Sequence, residues 1–201
     1  MKKLNLPNTL SLIRVLLVPV FMAAVILVDP TRGSTVWEVF GLCAIPAAVF
    51  GITAYTDHLD GKIARKYGLI TDFGKFIDPL ADKFMVFGAL ISILVSRPDI
   101  APLFVWVAAV IMLRELAVTS LRLVVATKEG TVVAASAWGK IKTVTQCVAI
   151  LLILLEPTLL FAFPGLPPIL SYIAMASMLI TTIGSGIDYM RVYMPLIDPT
   201  K

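Results

Sequence analysis

Two short runs of this sequence concentrate four aspartates: Asp57-His58-Leu59-Asp60-Gly61-Lys62-Ile63-Ala64-Arg65, and Gly74-Lys75-Phe76-Ile77-Asp78-Pro79-Leu80-Ala81-Asp82. On a helix turning ~100° per residue, Asp60, Gly61 and Ala64 lie within about 60° of Asp57. Gly74, Asp78 and Asp82 recur every fourth residue and make a second stripe. Two antiparallel helices joined by a short loop would aim the four carboxylates at one another. Such a cluster repels itself and is costly to desolvate, and divalent cations relieve both problems. All-oxygen ligands select Mg²⁺, Mn²⁺ or Ca²⁺ over zinc. Carboxylates holding hard ions are usual equipment for phosphoryl chemistry. The small residues Gly61, Ala64 and Gly74 leave room for a bulky ligand, and Arg65 offers a fork for a phosphate oxygen.

Each element of the cluster also has an ordinary explanation. Asp78-Pro79 fits a helix N-cap followed by proline at the first helical position. Asp60-Gly61 fits a helix stop and Gly74 a loop glycine. His58, the sole histidine, points about 100° away from Asp57 and reads as a bystander. Those separate explanations do not account for the joint spacing.

The elements that must carry these residues are membrane helices. Of 201 residues, 59% are hydrophobic and only 15% charged, too apolar to cover a soluble surface. Apolar stretches at about Leu10–Val28, Val36–Tyr55, Phe84–Val95, Ala101–Val125, Val144–Phe163 and Ile169–Tyr189 predict an all-α integral membrane protein with six transmembrane helices. The third is short unless it begins near Phe76, and it then carries aspartates at its start. Lys2 and Lys3 precede the first stretch, but Arg14 and Pro19 interrupt it and no convincing cleavage site follows. It reads as a retained helix. With no linker or internal repeat, residues 1–201 read as one membrane-embedded catalytic domain. Cys43 and Cys147 lack metal-ligand spacing and read as buried small residues.

Of seventeen Lys and Arg residues, the six-span reading puts only Arg32 and Arg97 on one side. The other fifteen then mark the cytoplasmic side, with both termini and the aspartates. The net charge of +4 is accounted for by topology and anionic headgroups, without a nucleic-acid partner. Arg114 and Arg122 lie in the cytoplasmic half of the fourth span, roughly 12 Å apart along its axis, and Lys140 and Lys142 enter from the next helix. Cations inside membrane segments are functional by default, and a small phosphorylated acceptor would suit these four. Pairing of Arg114 with Glu115, and headgroup contact by Lys140 and Lys142, are the alternatives.

The run Asp57-x2-Asp60-Gly61-x2-Ala64-Arg65-x8-Gly74-x3-Asp78-x3-Asp82 resembles the complete signature of the CDP-alcohol phosphotransferase family, with no position departing from it. Within the family, Pro7–Arg14, Arg114–Arg122 and Gly139–Gln146 are most similar to bacterial phosphatidylglycerophosphate synthases. The resemblance covers roughly residues 5–150.

It implies six transmembrane helices, commonly in a homodimer in the cell membrane, with the site open to the cytoplasm. It further implies that Asp57, Asp60, Asp78 and Asp82 hold two divalent cations, Mg²⁺ or Mn²⁺, with Asp82 also the general base. Asn8, Gly61, Ala64, Arg65, Thr71 and Gly74 would form the CDP site. The implied reaction transfers the phosphatidyl group from CDP-diacylglycerol to sn-glycerol 3-phosphate, releasing CMP. Related acceptors such as phosphatidylglycerol, serine or an inositol phosphate are the alternatives within the family. A divalent-cation transporter, or a catalytically inactive scaffold, is the alternative outside it.

Overall fold

The computed structural model describes residues 6–67, 72–129 and 137–194. Six helices account for nearly all of them: α1 (Leu6–Leu27), α2 (Val36–Tyr67), α3 (Asp72–Ser96), α4 (Ala101–Glu129), α5 (Ala137–Ala162) and α6 (Ile169–Tyr193). A short 3-10 turn, Pro30–Arg32, precedes α2, and there is no strand among the described residues. Each of the six contains a segment long and apolar enough to cross a membrane. The chain is a multi-pass, all-helical membrane protein.

The principal contacts close these helices into a ring. α1 packs on α2 and α3, α5 on α2 and α6, and α4 on α3 and α6. Going round the bundle, the order is therefore α1, α2, α5, α6, α4, α3. The mid-bundle core is apolar, with Phe21, Phe50, Leu90, Ile93, Phe104, Ile111, Ile150 and Met178 buried. Phe21 and Phe50 meet with ring centroids 5.5 Å apart. Large apolar side chains also cover the outside, such as Trp37, Trp106 and Leu113, which is the surface lipid requires. Gly88 allows α1 and α3 to approach closely, since a Cβ there would lie 2.7 Å from Val18 Cγ1.

The buried stripes of α1 and α5 change character along their length. On α1 it runs Asn8, Ser11, Arg14, then Val18, Phe21 and Val25. On α5 it runs Lys142 and Gln146, then Ala149, Ile150, Ile153 and Leu154, and ends on Glu156. The interior is thus polar at the end shared by the α1 and α3 N-termini, dry in the middle, and polar again at the opposite end. There Arg97 is bound by Asp99 (Nη2 to Oδ2, 2.7 Å), by Glu156 (Nη2 to Oε2, 3.1 Å) and by the Ile153 carbonyl (2.8 Å). Glu156 in turn accepts from the Ser171 backbone N–H at 3.0 Å and from its hydroxyl. This network pins the α3–α4 turn to α5 and α6.

Several helix ends differ from the hydropathy limits. α2 continues 32 residues to Tyr67, through the aspartate run, and α5 begins at Ala137 rather than near Val144. Charged residues end an apolar stretch without ending a helix. α3 begins at Asp72, so Pro79 lies inside it, and Asp78 is not the N-cap that the Asp-Pro pair also fitted.

Candidate active site

Asp78 and Asp82 sit one turn apart on the first half of α3, and both are exposed. Gly74, a turn earlier, is buried. Ser11 Oγ donates to Asp78 Oδ1 at 2.5 Å across the α1–α3 contact, and Asn8 is buried one turn before Ser11. Lys83 Nζ turns back to the Pro79 carbonyl at 3.3 Å. Asp57, Asp60, Gly61, Ala64 and Arg65 lie on the final turns of α2, but their side chains are outside those described. Thr71 is outside the described residues. Two exposed carboxylates at i and i+4, one accepting from a buried hydroxyl, are a donor set suited to hard divalent cations. His58 shares the undescribed side chains of the α2 end.

Asp82 borders a cavity of about 610 Å³ formed between α3, α4, α5 and α6, within the roughly 300–1,000 Å³ usual for small-molecule sites. The same cavity is lined by Arg114 and Arg122 from α4 and by Lys140 and Lys142 from α5. With Lys83, five cationic side chains face two carboxylates, Asp82 and Glu115, an excess of three positive charges among the described residues. All four cations singled out in the sequence therefore meet beside Asp82.

The four differ in what already holds them. Lys142 is buried and ion-paired with Glu115. Arg114 Nη1 also approaches Glu115 Oε1, at 3.4 Å. Its Nε and Nη2 are buried without a hydrogen-bond partner among the described residues. Arg122 and Lys140 are exposed to the cavity side. Arg122 Nη2 donates to the Tyr189 hydroxyl, and its Cζ lies 4.6 Å from the Tyr189 ring centroid.

Sequence reasoning passed over Ser11 and Tyr189. Ser11 carried a signal: with Asn8 and Arg14 it repeats at the spacing of the core-facing stripe of α1, where a polar residue needs a partner. Tyr189, an aromatic near a span end, is indistinguishable in sequence from an interfacial anchor.

The sequence model of the CDP-alcohol phosphatidyltransferase family matches residues 4–184. A Bacillus subtilis protein named CDP-diacylglycerol–glycerol-3-phosphate 3-phosphatidyltransferase is 46% identical over 168 residues, covering 80% of this chain and 82% of the relative. A Mycobacterium tuberculosis protein named probable phosphatidylglycerophosphate synthase is 36% identical over 185 residues, 92% of this chain and 79% of its own. An Escherichia coli K12 protein bearing the same name as the Bacillus one is 32% identical over 163 residues, 81% of this chain and 83% of its own.

Proposed function

The chain belongs to the CDP-alcohol phosphatidyltransferase family, and on that footing we propose that it transfers the phosphatidyl group of CDP-diacylglycerol to sn-glycerol 3-phosphate. The products are phosphatidylglycerophosphate and CMP. Relatives bearing that name at 32% to 46% identity over most of the chain support the reaction. The single observation that carries the acceptor is the cationic cavity beside Asp82. A neutral hydroxyl acceptor would have no use for an excess of positive charge, whereas a phosphomonoester dianion would.

The family is generally dependent on divalent cations. Asp57, Asp60, Asp78 and Asp82 would hold two, Mg²⁺ or Mn²⁺. When bound, the pair supplies Lewis-acid stabilisation of charge on the phosphates. Asn8, Gly61, Ala64, Arg65, Thr71 and Gly74 form the CDP site. Arg114, Arg122, Lys140 and Lys142 form the basic wall that takes the acceptor's phosphate, Lys142 acting from its pairing with Glu115. This wall places the acceptor's free primary hydroxyl toward Asp82. That oxygen bonds to the phosphorus bearing diacylglycerol as the bond to CMP breaks, and the Asp82 carboxylate takes its proton. Holding both reactants in one geometry is the larger part of the catalysis.

The site faces the cytoplasm of the cell membrane, because fifteen of seventeen basic residues fall on its side of the six-span topology. The chain works as one catalytic unit, paired in a homodimer. The decisive test measures CMP release from CDP-diacylglycerol by the purified protein with glycerol 3-phosphate, phosphatidylglycerol, serine and inositol phosphate as acceptors. Turnover should require glycerol 3-phosphate, and release with only another acceptor would reassign the reaction.

A further inference from the structure

Arg114 and Arg122 are eight residues apart on α4, yet both reach the same aromatic ring. Their Cζ atoms lie 5.2 Å and 4.6 Å from the centroid of Tyr189. Tyr189 is only 4% exposed and forms part of the cavity wall. Its ring stacks on Tyr193 at 5.6 Å with 25° between planes, which fixes it against α6. Two like charges drawn to one side of a cavity repel, and in the absence of a restraint they would separate. The negative face of an aromatic ring attracts each guanidinium and offsets that repulsion.

The hydroxyl adds a second restraint. In accepting from Arg122 Nη2, the Tyr189 oxygen keeps its own proton to give to another acceptor. Nε and Nη2 of Arg114 are buried donors with no hydrogen-bond partner among the described residues, so the ring contact is part of what holds that guanidinium in place. Unsatisfied guanidinium N–H groups are costly. An oxyanion with several acceptor atoms in the cavity would take the tyrosine proton together with N–H groups of the exposed Arg122.

We infer that Tyr189 is a positioning residue that holds Arg114 and Arg122 as a preformed pair for a dianionic phosphomonoester. This inference rests on the reading of the cavity as the acceptor site, and it adds a member from α6 to a site otherwise assigned to α4 and α5. It also accounts for selectivity: two guanidinium groups held close together favour a ligand with three phosphate oxygens over a neutral alcohol.

The test compares the full-length purified enzyme with Tyr189→Phe and Tyr189→Leu. Inorganic phosphate binding is titrated calorimetrically, and KM is measured for both substrates. Tyr189→Leu, lacking ring and hydroxyl, should weaken phosphate binding and raise the KM for glycerol 3-phosphate by about 10- to 100-fold. Tyr189→Phe, keeping the ring, should recover most of that and stay about 3- to 10-fold weaker than wild type. The KM for CDP-diacylglycerol should stay within about twofold in both, a split that a general loss of packing would not produce. Combining Tyr189→Leu with Arg122→Lys should give less than the product of the separate effects. Phosphate affinity within twofold of wild type in Tyr189→Leu, or an equal rise in both KM values, would overturn the role. Should Tyr189→Leu fail to fold, the same selective weakening in Tyr189→Phe decides it. If wild type uses no glycerol 3-phosphate, the proposed acceptor falls, while the phosphate titration still decides Tyr189.

Discussion

The Ser11 hydroxyl on α1 donates to the Asp78 carboxylate on α3 at 2.5 Å. Ser11 is 1% exposed and Asp78 is exposed, so a hydroxyl fixed in the bundle interior orients a carboxylate at the surface one turn from Asp82. α1 brings no acidic residue of its own to the site. It holds one oxygen of Asp78, as groups behind metal ligands commonly do, which is the part the proposed ion site would need.

Ser11→Ala should therefore impair catalysis without unfolding the protein. Loss of an orienting partner behind a carboxylate ligand typically costs about 10- to 100-fold in metal affinity or activity. The expected result is a higher Mg²⁺ or Mn²⁺ concentration for half-maximal CMP release, with Ser11→Thr closer to wild type. An unchanged metal requirement in Ser11→Ala would remove the hydrogen bond from the mechanism.

Metal dependence itself is the second prediction. Removing divalent ions with EDTA should abolish CMP release, and Mg²⁺ or Mn²⁺ should restore it. Asp78→Asn should lose metal binding and turnover together. If Asp82 is chiefly the base, Asp82→Asn should lose turnover while retaining affinity for CDP-diacylglycerol. Turnover that survives thorough chelation would leave the four aspartates without their proposed role.

Much of this was legible in the residues. Hydropathy located six spans, and the spacing from Asp57 to Asp82 pointed to the chemistry before any helix was placed. The limits of α2 and α5 were not legible, because a hydropathy run ends where polar residues begin while the hydrogen-bonded helix continues. Lys142 shows the consequence: it precedes the apolar stretch, yet lies on the buried face of α5 against Glu115. Nor does sequence say that α4 packs on α6. Without that neighbourhood, Tyr189 and Arg122 are residues 67 positions apart with no visible connection.

The far end of the bundle offers a stability test separable from activity. Arg97 and Glu156 are 8% and 2% exposed and bonded at 3.1 Å. Removing Glu156 leaves Arg97 its ion pair with Asp99 but takes away its buried partner and the acceptor of the Ser171 N–H and hydroxyl, at about 1–3 kcal/mol for each buried group left unsatisfied. Glu156→Ala should lower the unfolding temperature in detergent markedly, while kcat at permissive temperature changes little. Asp99 adds a pH dependence, since the hydrogen bond from Arg97 holds its carboxyl below the ordinary range. A lowered folded pKa gives stability that is present above about pH 4 and lost as pH falls through the folded value. Asp99→Asn should flatten that acid limb. An unfolding temperature unmoved by Glu156→Ala would show that the network is dispensable.

Orientation can be read by labelling. In a background lacking Cys43 and Cys147, a cysteine at Thr31 or Pro167 should react with an impermeant thiol reagent from outside the cell. One at Thr200 should react only after permeabilisation. The opposite pattern would put the aspartates on the wrong face for a cytoplasmic nucleotide-linked donor and would reverse the charge-bias argument.

Lys140 and Lys142 give the sharpest contrast, because two neighbouring cations of one cavity should fail in different ways. Lys140 is exposed on the cavity wall, so Lys140→Ala would remove the proposed contact with the acceptor's phosphate, made in both ground and transition states. Such uniform binding appears as a raised KM for glycerol 3-phosphate with kcat less affected. A charge-assisted hydrogen bond is worth about 1.5–3 kcal/mol, so kcat/KM should fall roughly 10- to 150-fold. Arg122→Ala should behave alike, and Arg65→Ala should instead weaken CDP-diacylglycerol. Lys142 is buried against Glu115, so Lys142→Met leaves that carboxylate only its longer contact with Arg114 Nη1 at 3.4 Å and should destabilise the protein as well as slow it. Adding Glu115→Gln removes the weakly paired charge and should recover the unfolding temperature without recovering the KM for glycerol 3-phosphate. If the double variant regains neither, Glu115 is not the partner that matters. If Lys140→Ala and Arg122→Ala raise only the KM for CDP-diacylglycerol, the basic wall belongs to the donor and the case for a phosphorylated acceptor falls.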